Sequence, residues 1–221
     1  MYSKSELPEG AELVNGVFHQ TIGPIKTKSR PVLFLDRDGC IVVETDYLHK
    51  VEEVQLISGA AEVIALANRL DIAVVIVTNQ AGIGRGYFTW EDFFKVQHEI
   101  NAQLAKAGAQ FDGIFACPFH ANGKQPYQHP NHPSRKPNPG MLEAAATSLN
   151  LDLARSWIVG DKKSDLSAGL NANLTGGIHV ASGYGSIAGE REASLAIATN
   201  DFQVLGAESI ADVPKIIDLF N

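Results

Sequence analysis

After Pro31, short apolar runs alternate along the chain with segments of helical periodicity. Runs rich in β-branched residues predict strands at 32–36, 72–78, 113–117, 157–161 and 177–181. Strands this short and this continuously apolar are typical of a parallel sheet that is covered on both faces.

Helices are predicted between and after these runs. Residues 60–70 have an apolar side, and Thr89 with Asp92 forms a capping-box pattern for a helix that reaches about residue 107. Pro139 opens a third helix, and Pro214 lies in the first turn of the last one. This alternation predicts an α/β fold with a doubly wound parallel sheet, in which ligands bind beyond the carboxyl ends of the strands.

Two segments depart from this rhythm. Residues 1–30 have weak periodicity and several turn formers, so we expect an N-terminal extension that packs on or trails from the domain at 31–221. Residues 118–135 are rich in proline and histidine and predict a loop insertion. Long loops inside compact domains are usually functional.

Composition narrows the classes of protein that need to be considered. The 221 residues are 45% hydrophobic, enough for one full core, and the formal net charge is -7 with no Lys/Arg-rich run. We therefore expect no nucleic-acid partner. The longest apolar runs are too short for a membrane span, and Cys40 and Cys117 cannot build a disulfide framework. A cytoplasmic protein without a membrane partner is expected.

The strongest chemical signal is the sequence PVLFLDRDGC, in which an apolar strand delivers Asp36 and Asp38 and then breaks at Gly39. Asp-x-Asp alone is common in surface turns. Two carboxylates at the end of a buried strand, however, need a compensating cation, and a hard divalent ion such as Mg²⁺ suits them.

Further polar residues follow other predicted strands. Thr78 and Asn79 offer a hydroxyl and an amide, and Lys136 can neutralise an anion beside the helix that Pro139 opens. Asp161 ends a strand, and Asp165 lies in the following helix. Each of these alone could be an ordinary helix cap or a solvated surface group, and only their order and spacing make a functional series.

The series DxDG, TN, K and GDxxxD resembles the four motifs of the haloacid dehalogenase superfamily. Within it, DRDG, VTNQAGIGRG, CPF, RKPNPGM and VGDKKSD are similar to the D-glycero-D-manno-heptose-1,7-bisphosphate phosphatases and histidinol-phosphate phosphatases. The resemblance extends from residue 31 to about residue 180. It implies a Rossmann-like core and an Mg²⁺-dependent phosphatase.

The resemblance also implies roles for the acidic residues. Asp36 would be the nucleophile that forms an aspartyl-phosphate, and Asp38 would protonate the leaving alcohol and then activate water. Mg²⁺ would be held by the carboxylates of Asp36 and Asp161 and by the main-chain carbonyl of Asp38. Asp165 would orient Lys136 or a metal-bound water.

The remaining site residues would contact the substrate. Thr78, Asn79 and Lys136 would hold the phosphoryl oxygens, while Arg85 and Arg135 would bind the rest of the molecule. No block long enough for a separate cap domain is present, so loops at 47–53, 82–88 and 118–135 must select the substrate. A small phosphorylated metabolite is expected, foremost heptose 1,7-bisphosphate, with histidinol phosphate or another sugar phosphate as alternatives.

Two readings without turnover also remain. Receiver domains combine an acidic pocket, a threonine and a Lys-Pro on a similar sheet, so a phosphoacceptor signalling module is possible. Asp38 argues against it, because a second acid speeds dephosphorylation. The other reading is a catalytically inactive, metal-binding interaction protein, since fold never guarantees function.

A structural Zn²⁺ is a further possibility that the resemblance raises, because the subfamily often carries one on this loop. Cys117 matches a ligand, but Phe119 stands at the expected histidine position. His120, His129 and His132 could complete a tetrahedral set with Cys117. Alternatively, the loop has lost its metal and is held by its prolines and by packing.

Overall fold

The computed structural model describes residues 7–221, so the first six residues of the predicted extension lie outside the described part. All its strands form one sheet of eight, in the order β1-β2-β5-β4-β3-β6-β7-β8. The strands are β1 Ala11–Val14, β2 Val17–Thr21, β3 Val32–Leu35, β4 Ala73–Asn79, β5 Gly113–Cys117, β6 Trp157–Gly160, β7 Gly176–Val180 and β8 Gln203–Ala207.

Helices cover both faces of this sheet. They are α1 Ala60–Arg69, α2 Ala81–Arg85, α3 Trp90–Lys106, α4 Gly140–Leu149, α5 Lys163–Asn171, α6 Glu190–Leu195 and α7 Val213–Ile216. The predicted capping box opens α3, since the Thr89 side chain and Asp92 bond each other's main-chain N–H. Within residues 7–221, no helix has both the length and the apolar character needed to cross a membrane.

The central strands are buried on both faces, which explains their unbroken apolar runs. In β3, Leu33 and Leu35 pack on the side of α1 and α3, while Val32 and Phe34 pack on the side of α4. The α/β fold with a doubly wound sheet is therefore confirmed. The five predicted strands also agree with the structure to within one residue at each end.

An antiparallel hairpin makes the sheet mixed rather than wholly parallel. Strands β1 and β2 pair with each other, and β2 pairs antiparallel with β5, so that Thr21 lies opposite Gly113. Phe18 of β2 is 1% exposed and packs against the aromatic rings of Trp90, Phe93 and Phe94. Residues 11–21 are thus an integral edge of the sheet.

The direction of winding reverses between β3 and β6. From β3 the chain adds β4 and β5 on one side, and it then returns to add β6, β7 and β8 on the other. The neighbouring strands β3 and β6 are parallel, with Leu35 opposite Val159, so their carboxyl ends open onto the same crevice. This switch point is where open α/β sheets bind ligands.

The packing of the hairpin yields a stability prediction. Phe18→Ala is expected to lower the free energy of unfolding by about 3–5 kcal/mol, because it empties a buried aromatic site. Ile25→Ala is the control, since Ile25 lies in the following segment and is 58% exposed, and it should change stability by less than about 0.5 kcal/mol. Urea unfolding of both variants measures the difference. Equal small effects would show that the hairpin does not belong to the cooperative core.

Candidate active site

A cavity of about 300 Å³ opens at the switch point, beyond the carboxyl ends of β3 and β4. Its lining is mainly polar and brings together most of the residues that the sequence motifs single out. These are Asp36, Asp38, Thr78, Asn79, Arg85, His120, Arg135, Lys136 and Asp165. Asp161 is fully buried directly after β6.

The Lys136 ammonium lies at the centre of the cavity floor and is 1% exposed. It donates to Asp36 Oδ1 at 2.8 Å and to the Val77 carbonyl at 2.7 Å, and it pairs with Asp165 Oδ1 at 2.7 Å. Burial opposes its charge, but Asp165 and Asp36 outweigh this and raise the pKa of Lys136 well above its ordinary value. Because its three donors are all engaged, Lys136 fixes both carboxylates.

Asn79 holds the main chain of Lys136 from the end of β4. Its side-chain nitrogen donates to the Lys136 carbonyl at 3.1 Å, and its side-chain oxygen accepts from the Lys136 N–H at 3.1 Å. Both polar atoms of the amide are therefore occupied. In this structure Asn79 fastens the Lys136 segment to β4. Asn79 also lines the cavity, and its second amide N–H is not used by these two bonds.

Asp161 approaches the main chain so closely that two glycines are required. A Cβ atom at Gly39 or Gly183 would lie 2.3 or 2.4 Å from Asp161 Oδ2, and both glycines have positive φ. That oxygen accepts from the Tyr184 N–H at 2.7 Å, whereas Asp161 Oδ1 is buried without a hydrogen-bond partner. Burial and the neighbouring carboxylates of Asp36 and Asp165 raise the pKa of Asp161 to about 8.

These carboxylates fit a divalent cation. Ligand oxygens of Asp36, Asp161 and Asp165 lie within 4.8 Å of one another, and all three residues are buried. In Asp165, however, one oxygen pairs with Lys136 and the other accepts from the Lys162 N–H at 3.0 Å. Asp161 Oδ1 has no such partner, so Asp36 and Asp161 suit a metal better and Asp165 suits the orientation of Lys136.

Asp38 points at a set of donors that the sequence motifs did not identify. Arg37 is 1% exposed and donates from Nε to both Asp38 oxygens at 3.1 Å and from Nη2 to Oδ1 at 3.0 Å. Gln80 Nε2 donates to Asp38 Oδ2 at 3.0 Å and to Thr78 Oγ1 at 2.8 Å. Arg37 and Gln80 therefore orient Asp38. The signal for Arg37 was available, because a buried charge between two aspartates needs a partner.

One wall of the cavity carries two arginines without acidic partners. Among residues 7–221, no carboxylate lies within 4.0 Å of the Arg85 or Arg135 guanidinium. Arg85 instead contacts the Tyr47 hydroxyl and, at 3.0 Å, His120 Nε2. Arg135 Nη1 donates to the Phe119 carbonyl at 3.0 Å. The result is a concentration of positive charge suited to an anion.

Tyr184 borders the opposite wall, and no local sequence pattern pointed to it. Its hydroxyl lies 2.6 Å from Asp46 Oδ1, and the Lys162 ammonium lies 3.8 Å from the centre of its ring. Asp46 and Tyr47 both have positive φ, which is unusual for a tyrosine. Tyr184 and Arg85 thus hold the 46–47 turn over the cavity from two sides.

The proposed zinc set is not supported. Cys117 ends β5 in the core, where burial raises the pKa of its thiol to about 11. His120, His129 and His132 each accept a main-chain N–H at Nδ1. Within the described residues, these four side chains form no cluster of metal-binding geometry. The Phe119 ring is stacked on His132 and meets His129 at an angle of 82°.

Comparisons with known proteins agree with this site. A family model described as HAD-hydrolase-like matches residues 133–204. The D-glycero-β-D-manno-heptose-1,7-bisphosphate 7-phosphatase of Mesorhizobium japonicum is 50% identical over 147 residues, which cover 66% of this chain and 68% of that protein. The Yersinia pestis protein of the same name is 38% identical over 191 residues, covering 86% and 97%.

A solved structure is also similar. The D,D-heptose 1,7-bisphosphate phosphatase from B. bronchiseptica, complexed with magnesium and phosphate, superposes with a TM-score of 0.69 at 29% identity. The match covers 84% of this chain and 96% of that one.

The raised pKa of Asp161 predicts that the metal-free protein loses stability as pH rises. The ordinary pKa of an aspartate is 3.8, and the pKa of Asp161 in the folded chain is about 8. At pH values between these two, the Asp161 carboxyl is therefore protonated in the folded chain and ionised in the unfolded chain. This stabilisation is fully present below pH 4 and is lost as pH rises through 8. Saturating Mg²⁺ favours the ionised form, so it should raise Tm more at pH 8 than at pH 6.

Thermal unfolding with and without Mg²⁺ measures both effects, and each 1 kcal/mol moves Tm by about 2–4 °C in a chain of this size. Asp161→Asn should make Tm depend less on pH than in wild type, and Mg²⁺ should raise the Tm of this variant less. The exposed residue Asp201 gives the control, since Asp201→Asn should leave both unchanged. A pH profile shared by wild type and Asp161→Asn would contradict the assignment.

Proposed function

Since this chain belongs to the D-glycero-D-manno-heptose-1,7-bisphosphate phosphatase family of haloacid dehalogenase-like hydrolases, we propose that it removes the 7-phosphate of that sugar. The reaction class is hydrolysis of a phosphoric monoester. The choice of substrate rests on Arg85 and Arg135, which line the same cavity as Asp36 and Asp38 and have no acidic partner among the described residues.

Asp36 is the nucleophile of this mechanism. One of its oxygens forms a bond to phosphorus while the bond from phosphorus to the sugar oxygen breaks, which leaves an aspartyl-phosphate and a free alcohol. Lys136, 2.8 Å from Asp36 Oδ1, orients the carboxylate. Water then attacks phosphorus, inorganic phosphate leaves, and the Asp36 carboxylate is restored.

Asp38 handles the protons of both steps. It gives a proton to the departing sugar oxygen and later takes one from the attacking water, so it ends in its starting state. Arg37 and Gln80, which follow β3 and β4, donate hydrogen bonds to the Asp38 carboxylate and so orient it. Thr78 Oγ1 already accepts from Gln80, which leaves its hydroxyl hydrogen to donate to a phosphoryl oxygen.

Mg²⁺ fits the remaining groups. Asp36, Asp161 and the main-chain carbonyl of Asp38 would hold it, and its charge offsets that of the phosphoryl group when it is bound. The partnerless Asp161 Oδ1 is the atom that supports this choice. Asp165, through its 2.7 Å pair with Lys136, keeps the lysine aligned with Asp36.

The arginine wall favours a bisphosphate over histidinol phosphate. A second phosphate could accept from the guanidinium forks of Arg85 and Arg135, which match its oxygens. The amino group of histidinol phosphate carries positive charge at neutral pH, and the same two arginines would repel it. A heptose carrying phosphates at both ends is therefore the substrate that suits this cavity best.

A substrate panel tests the proposal. Wild-type protein should hydrolyse heptose 1,7-bisphosphate with a kcat/KM at least about tenfold above those for histidinol phosphate and p-nitrophenyl phosphate, a difference of roughly 1.4 kcal/mol. Activity should require Mg²⁺. Asp36→Asn serves as the blank, because an amide cannot accept the phosphoryl group. Preference for histidinol phosphate would overturn the substrate, and a stable phosphoaspartate without turnover would favour a signalling module.

Arg135→Ala separates binding of the second phosphate from the chemistry. It should lower kcat/KM for heptose 1,7-bisphosphate by roughly 10- to 100-fold, because a charged hydrogen bond is worth about 1.5–3 kcal/mol. Turnover of p-nitrophenyl phosphate, which has no second phosphate, should change little. Arg155→Ala is the control, since the Arg155 side chain is exposed and forms an ion pair with Asp152 outside the cavity. Equal losses on both substrates would show that Arg135 serves the reacting phosphoryl group.

A further inference from the structure

Two aromatic rings of the 118–135 loop are stacked face to face beside Arg135. The ring centres of Phe119 and His132 lie 3.9 Å apart, and the ring planes are inclined by only 3°. Phe119 is 8% exposed and His132 is partly buried. The two residues lie on separate passes of a loop that has no helix or strand of its own, so the stack is a direct tie between those passes.

Both residues of the stack also hold Arg135 through their main chains. The Phe119 carbonyl accepts from Arg135 Nη1 at 3.0 Å, and the His132 carbonyl accepts from the Arg135 N–H at 2.9 Å. One carbonyl therefore fixes the guanidinium and the other fixes the backbone from which it extends. Because the rings set the separation of the two carbonyls, they also set the direction of the side chain.

The stack is anchored on its outer side. Phe119 meets the edge of the Tyr127 ring, with centres 5.5 Å apart, and the Tyr127 hydroxyl accepts from Trp90 Nε1 of α3 at 3.0 Å. The turn of the N-terminal hairpin closes over the same ring, since a Cβ atom at Gly16 would lie 3.2 Å from Phe119 Cζ. Phe119 is thus held against rigid elements, and His132 is held against Phe119.

The His132 ring contributes by packing and not by charge. Burial and the neighbouring His129 lower its pKa, so the imidazole is neutral at pH 7. Its Nδ1 accepts from the Ser134 N–H at 3.1 Å, which shapes the turn just before Arg135. The two contributions of His132, stacking and this hydrogen bond, can be separated by substitution.

We propose that the Phe119–His132 stack is a specificity-determining positioning device, which aims the Arg135 guanidinium at the second phosphate of the substrate. The inference rests on the proposed function, because it needs a substrate with a second anionic group. Neither ring touches the reacting atoms. The stack acts only through Arg135, and this restriction makes it testable.

Two substitutions of His132 separate its contributions. His132→Asn keeps an acceptor for the Ser134 N–H and loses the ring, so KM for heptose 1,7-bisphosphate should rise about three- to tenfold, the scale of one aromatic pair. His132→Phe keeps the ring and loses the acceptor, and it should restore KM to within about twofold of wild type. Neither should change kcat/KM for p-nitrophenyl phosphate.

A control and a double mutant complete the design. His129 has the same Nδ1 bond, to the Asn131 N–H, but it stacks on neither ring: it meets Phe119 at 82° with centres 6.2 Å apart and His132 at 79° with centres 5.2 Å apart. His129→Asn should therefore leave KM within about twofold of wild type. In an Arg135→Ala background, His132→Asn should cause no further change in KM for heptose 1,7-bisphosphate. Additive losses there, equal losses on both substrates, or no loss in His132→Asn would each overturn the proposal.

Failure of the proposed function gives a different result. If wild type and Arg135→Ala hydrolyse heptose 1,7-bisphosphate equally well, the substrate assignment is wrong, whatever His132→Asn does. If Arg135→Ala discriminates between the substrates and His132→Asn behaves like wild type, only the positioning role is wrong. Thermal unfolding of each variant shows whether an equal loss on both substrates comes from unfolding.

Discussion

The buried Lys136 ammonium is the interaction on which the rest of the site depends. It lies between Asp36 and Asp165 at 2.8 and 2.7 Å and also donates to a main-chain carbonyl of β4. Removing one partner of such a buried set leaves an uncompensated charge, which is strongly destabilising. One cation thus joins the residue after β3, the carboxyl-terminal part of β4 and the first turn of α5, and it fixes the orientation of two buried carboxylates.

The reversal of strand order between β3 and β6 explains how residues far apart in sequence come together in one site. Asp36 follows β3 and Asp161 follows β6, and these strands are neighbours although more than half of the chain separates them. The doubly wound order brings the two carboxylates together without a dedicated domain. Arg85 at the end of α2, Arg135 and Tyr184 complete the lining of the crevice.

Much of the fold and of the candidate site could be predicted from the sequence, and the features that could not be predicted were missed for physical reasons. The central strands are buried on both faces, so unbroken apolar runs predicted their ends to within one residue. By contrast, β2 is only partly buried and β8 is mostly exposed or half-buried, so neither has such a run. The motif residues at strand ends were found because polar residues interrupt apolar runs. Tyr184 donates its main-chain N–H to Asp161, which any residue could do, and its hydroxyl contacts Asp46, which is distant in sequence. The Phe119–His132 stack likewise joins two separate passes of a loop. Neither the Tyr184 contacts nor the stack produces a local sequence pattern. The histidines of the 118–135 loop were interpreted as zinc ligands because the resemblance raised a zinc site there.

The N-terminal hairpin has a consequence for the order in which the molecule can form during synthesis. Its strands are synthesised before β5 and α3, yet β2 pairs with β5, and Phe18 packs against rings of α3. Until those later segments emerge, the hairpin has no edge to join and its phenylalanine faces water. Pairings between segments so distant along the chain are slow to form. While the centre of the sheet is still being made, the nascent protein therefore exposes Val17 and Phe18, two residues that are buried in the finished fold and that a chaperone could bind.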